Sequence, residues 1–74
     1  MENIKLLIES KYWEKEGKWC VAVTLPEFEY WSENAWDKSR EKAEKRVMEV
    51  VKKHIDWVRE LKKSAEKREE VLTY

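Results

Sequence analysis

The stretch from Ala35 to about Lys67 constrains this chain more than any other, because its pattern fits one long amphipathic helix. Ala43, Val47, Val50, His54, Val58, Leu61 and Ala65 recur at intervals of four, three, four, four, three and four. At about 100° per residue, that spacing gathers the side chains into one narrow stripe. Met48, Val51 and Ile55 widen the stripe on one flank and Trp57 on the other. The opposite side is charged, with Lys38, Glu41, Lys45, Glu49, Lys52, Asp56, Arg59, Lys63 and Lys67. An apolar stripe must cover something, and the residues before it supply a small β-sheet.

A chain of 74 residues forms one domain, residues 1–74, with a modest core. The usual reinforcements of small domains are missing. A single cysteine, Cys20, cannot close an internal disulfide, and with one histidine it cannot build a structural zinc site. Self-association is then the natural source of further buried area. Charged residues make up 43% of the chain, with no glutamine, two asparagines, one glycine and one proline. Lys/Glu enrichment with few thermolabile amides points to a hyperthermophilic source. Neither a signal peptide nor a membrane span is visible, since residues 4–8 are too few and Lys5 interrupts them. The expectation is a soluble cytoplasmic protein, and the lone cysteine suits a reducing compartment.

Taken in order, residues 4–10 set Ile4, Leu6 and Ile8 against Lys5, Leu7 and Glu9, which reads as a strand. Glu14, Lys15, Glu16 and Gly17, the only glycine, read as a hairpin turn. A second strand covers residues 18–25, with Trp19, Val21, Val23 and Leu25 on one face and Cys20, Ala22 and Thr24 on the other. Pro26 ends it, because proline cannot donate to a ladder. Residues 27–32 predict a short third strand, with Phe28 and Tyr30 on one face and Glu29 and Trp31 on the other. Such short connections make neighbouring strands antiparallel. Asn34 is the expected helix N-cap, with Asp37 an acid in the first turn. The predicted fold is α+β: a three-stranded antiparallel sheet, one face covered by the helix. The tail Val71-Leu72-Thr73-Tyr74 reads as a fourth edge strand or as a frayed helix end.

This architecture carries a mismatch of lengths. At 1.5 Å per residue the helix would run roughly 45–50 Å, whereas strands of six to eight residues span only about 20–27 Å. The apolar stripe nevertheless continues through His54, Trp57, Val58 and Leu61. An apolar stripe without a partner in its own chain marks an interface. These four residues are therefore the expected surface of a homodimer.

Few residues offer chemistry. His54, the only histidine, lies within the stripe with no carboxylate on its own face, and Asp56 is about 160° away around the helix. It reads as a core or interface histidine rather than a general base or ligand. A Cys20–His54 nucleophilic pair would need Cys20 to face the helix, and the register turns it away. No Walker loop, glycine-rich phosphate cradle, CxxC or HExxH occurs. No cofactor, metal site or enzymatic activity is expected. Five tryptophans are the other peculiarity. Trp19 and Trp36 fit the core between sheet and helix. Tyr12, Trp13, Tyr30 and Trp31 are expected to form an exposed aromatic surface for a protein partner, where such residues serve as anchors. A stacking platform for single-stranded nucleic acid needs a positive surround, which this half of the chain lacks.

The zero net charge hides an asymmetry. Residues 1–37 hold four lysines against eight acids, net −4, while residues 38–68 hold twelve basic residues against six acids, net +6. A basic helix can be a nucleic-acid footprint. Here acids recur on every turn, with i,i+4 pairs such as Glu41–Lys45 and Glu49–Lys53, which favours a solvated face.

The order strand–strand–strand–helix resembles the HicB-like antitoxin family, a truncated ribonuclease-H-like fold. The strand Trp19-Cys20-Val21-Ala22-Val23 is similar to that family's strand after the first hairpin. Pro26-Glu27-Phe28 is similar to its Pro-acid-apolar corner. The run Ala35-Trp36-Asp37-Lys38-Ser39-Arg40-Glu41-Lys42-Ala43 falls where the family opens its helix, with Trp36, Ser39, Ala43 and Val47 at packing positions. Glu29-Tyr30-Trp31 and Ser32-Glu33-Asn34 replace the family's Pro-Gly-Cys and Gly-Asp-Thr. The resemblance implies a dimeric, non-enzymatic protein that binds and blocks a small basic, mRNA-cleaving toxin. The alternative is a small nucleic-acid-binding protein that uses its basic helix.

Overall fold

A computed structural model describes residues 3–64, 66 and 68–73. The expected helix positions Ala65 and Lys67, and Tyr74 of the tail, lie outside the described residues. The architecture is α+β: a three-stranded antiparallel sheet of order β1-β2-β3, from Leu7–Trp13 (β1), Lys18–Leu25 (β2) and Trp31–Asp37 (β3). One helix, Arg40–Ser64 (α1), follows.

The first hairpin closes as expected. Gly17 adopts φ +63°, and its N–H donates to the Trp13 carbonyl at 2.8 Å. A side chain at Gly17 would meet no atom within 4 Å, so the demand there is conformational rather than steric. The first strand itself begins later than its alternation suggests. Ile4 and Leu6 tuck against the core ahead of it, and β1 continues to Trp13.

Opposed residues of an antiparallel pair share a face, so the register assigns the two sides of the sheet. Ile8, Val23 and Glu33 lie on the helix side, as do Ser10, Val21 and Ala35, and Tyr12, Trp19 and Asp37. Lys11, Cys20 and Trp36 lie on the opposite side. α1 packs over β2 and β3. Val21, Val23 and Leu25 meet Ala43, Val47 and Val51, and all six are fully buried. β1 gains little cover, and Ile8 and Tyr12 stay exposed on the helix side.

Two boundaries differ from the sequence expectation. The segment expected as a strand over residues 27–32 is a single 3-10 turn, Pro26–Phe28, and β3 starts only at Trp31. The helix starts at Arg40 rather than Ala35, because Asn34, Ala35 and Trp36 pair with Ala22, Val21 and Cys20 of β2. Asn34 is thus a strand residue and not the N-cap. Ser39 takes that role: its Oγ accepts from the Lys42 N–H at 3.4 Å, and its carbonyl accepts from the Ala43 N–H at 3.0 Å. Asp37 fixes the approach, since its Oδ1 accepts from the Ser39 N–H at 2.9 Å. Val71 and Leu72 are exposed and join none of the three strands. Among the described residues, no helix is long and apolar enough to cross a membrane.

Two outcomes follow from this packing. Leu25→Ala should destabilise the domain by about 2–5 kcal/mol, most of what a chain this small has, read as a fall in the urea midpoint. The Ser39 N–H bond, aided by the Lys42 and Arg46 charges, holds the Asp37 carboxyl below its ordinary value of 3.8. A lowered folded pKa means its stabilisation is present above that ordinary value and is lost as pH falls through the lower folded one. Acid unfolding monitored by circular dichroism should therefore show a shallower loss of stability below pH 3.8 in Asp37→Asn than in the native chain.

Candidate functional site

The connection between β2 and β3 forms a concavity against the helix. Pro26 stops the β2 ladder and starts the 3-10 turn, and Glu29 and Tyr30 then adopt φ +57° and +59°. Two consecutive non-glycine residues in the left-handed region are costly, at roughly 1–2 kcal/mol each. The reversal directs Phe28 toward α1, where its ring lies 6.2 Å from His54. Trp31, the first residue of β3, stacks on His54 with centroids 3.8 Å apart and planes within 5°. Trp57 adds its ring 5.8 Å from the imidazole.

The result is a groove of about 350 Å³ between the turn and the helix, lined by Glu27, Phe28, Glu29, Trp31, His54, Val58 and Lys62. Its floor is aromatic and aliphatic, and its rim carries Glu27 and Glu29 opposite Lys62. No lining residue is a serine, cysteine or threonine nucleophile. Cys20 lies on the far side of the sheet from α1, so a Cys20–His54 pair does not form. Among the described residues no group of three or more metal-ligating side chains occurs. The groove is suited to receive an apolar side chain.

The aromatic residues expected to form one partner surface are dispersed. Tyr12 lies on the helix side of β1, its ring 5.5 Å from Trp19. Trp13 lies on the opposite face, its ring 5.7 Å from Trp36. Tyr30 projects from the turn, 71% exposed. Trp31 is not on the outer face: it is half-buried against α1. The two left-handed residues reset the alternation, so β3 begins with the parity opposite to that expected. Trp36, expected in the core as a residue of the helix's first turn, is instead a β3 residue paired with Cys20 on the outer face. The residues expected at a dimer interface fall into two pairs. His54 and Val58 line the groove, so part of the stripe is used within the chain. Trp57 and Leu61 remain 59% and 42% exposed.

Glu29→Gly should relieve the left-handed strain and raise the unfolding free energy by about 0.5–1 kcal/mol, once glycine's own entropic cost is subtracted. Urea titration checks the sign. Comparison with protein-family models, curated proteins and solved structures finds no significant match to this chain.

Proposed function

We propose that this chain is a non-enzymatic interaction protein that associates as a homodimer and, like the HicB-like antitoxins it resembles, binds and blocks a basic mRNA-cleaving toxin. The observation that carries the reading is the continuity of apolar surface from the Phe28–His54–Val58 groove to Trp57 and Leu61. α1 has 25 residues, about 37 Å at 1.5 Å per residue, whereas the eight residues of β2 span about 27 Å. The last turns of the helix thus extend past the sheet with apolar residues uncovered. A two-fold axis beside this overhang would let Trp57 and Leu61 of each copy enter the groove of the other.

The rim supports an acidic contact with a basic partner. Glu27 and Glu29 stand exposed beside the exposed Tyr30, the residue type that anchors protein interfaces. The helix supports the alternative less well. Glu41, Glu44, Glu49, Asp56 and Glu60 recur along it, so the basic residues clear no continuous patch.

Sedimentation should show a dimer at micromolar concentration, and Leu61→Asp should return it to a monomer with an unchanged helical circular dichroism spectrum. A native chain that sediments as a monomer at every accessible concentration would overturn the dimer. For the toxin, the chain should suppress RNA cleavage by a small basic protein encoded beside it, and Glu27→Lys with Glu29→Lys should lift that suppression. An equally effective charge-reversed variant would refute the acidic contact.

A further inference from the structure

The sheet face turned away from α1 carries residues that neither the core nor the groove uses. Trp13 ends β1 and Trp36 lies near the end of β3, and both are exposed on this face, at 42% and 38%. They belong to strands on either side of β2, so their rings meet above Lys18 and Cys20, which pair with them in the register. The centroids are 5.7 Å apart and the planes are tilted by 46°, leaving an open V of indole surface.

Two clefts beside this V hold more basic than acidic side chains, unlike residues 1–37 as a whole. A cleft of about 390 Å³ is lined by Trp13, Glu16, Lys18 and Trp36. A second, of about 480 Å³, shares Lys18 and Trp36 and is completed by Asp37, Lys38, Ser39, Lys42 and Arg46. Two acids therefore face four cations, and Asp37 is already engaged by the Ser39 N–H and by Arg46. Lys11 adds a further cation, its Nζ 4.3 Å from the Trp13 ring centroid. Of the other acids of residues 1–37, Glu9 shares this face next to Lys11 and Glu14 follows Trp13 in the turn, whereas Glu27 and Glu29 rim the groove near the opposite end of β2.

We propose that this face binds single-stranded nucleic acid, with a base stacked on the Trp13–Trp36 pair and adjacent phosphates against Lys18, Lys38 and Lys42. Exposed indole faces bordered by cations are the two requirements of a stacking platform on a sheet. The indoles take the π-face of an unstacked base, and the lysines take the backbone charge. A duplex keeps its bases stacked inside and cannot use the V. The site is distinct from the groove and the helix overhang, so it stands whether or not the chain dimerises.

The test is fluorescence anisotropy with labelled oligo(U) and oligo(dT) of roughly a dozen nucleotides, run beside a duplex of the same length. The single strands should bind more tightly than the duplex and quench tryptophan emission. Trp13→Ala and Trp36→Ala should each weaken binding by about 5- to 150-fold, with circular dichroism unchanged. Lys18→Ala should lower the salt slope by roughly 0.7, and Leu61→Asp should leave the affinity unaltered. A preference for oligo(U) over oligo(dT), or the reverse, would identify which nucleic acid is bound. The proposal fails if neither single strand binds at low salt, or if the duplex binds equally well and the tryptophan variants match the native chain. It fails equally if polyglutamate displaces the oligonucleotide as effectively as an unlabelled strand does.

Discussion

Six aliphatic side chains hold this domain together. Val21, Val23 and Leu25 of the central strand interlock with Ala43, Val47 and Val51 of the helix, and no other residue among those described is both apolar and fully buried. The strand presents every second residue and the helix every fourth, so two short linear repeats match along one line. A core one strand wide has a direct consequence. The helix can sit over β2 and β3 but cannot also roof β1, which is held chiefly by its ladder to β2.

The narrowness of that core leaves apolar surface at several places. Partly buried side chains such as Ile4, Leu6, Met48 and Ile55 close the sides of the contact. At the end of the sheet where β2 gives way to β3, the aromatic rings of Phe28, Trp31 and His54 extend the core outward into an open groove. At the other end, the hairpin brings Trp13, Trp36 and Lys18 together on the helix-free face, and a cleft runs from there past Lys38 to Lys42 at the start of α1. The two ends differ in charge as well as in place, the first rimmed by glutamates and the second by cations. A net charge of zero thus conceals an uneven distribution of charge over the surface.

Backbone strain separates these surfaces. Glu29 and Tyr30 hold left-handed conformations that no side chain of theirs favours. The stack of Trp31 on His54 and the pairing of Leu25 with Trp31 hold the chain on either side of the reversal. That reversal sets the parity of β3, and with it the side of the sheet on which Trp31 lies.

The sequence by itself determined the α+β class, the glycine turn, the limits of β2, the faces of its residues and the amphipathic helix. Each of these depends on local periodicity or on a residue with a distinctive backbone preference, and both are visible in a linear string. The outward position of Cys20 was legible for the same reason. The start of the helix, the placement of β3 and the sites of Trp31 and Trp36 were decided only in three dimensions. Residues 34–36 follow a pattern compatible with either a helix or a strand, and only the unsatisfied edge of β2 selects the strand. Positive φ at Glu29 and Tyr30 leaves no mark in composition, because it is imposed by contacts with residues distant in the chain. Without it the alternation through Trp31 reads with the wrong parity, and a one-residue shift exchanges every inward side chain for an outward one.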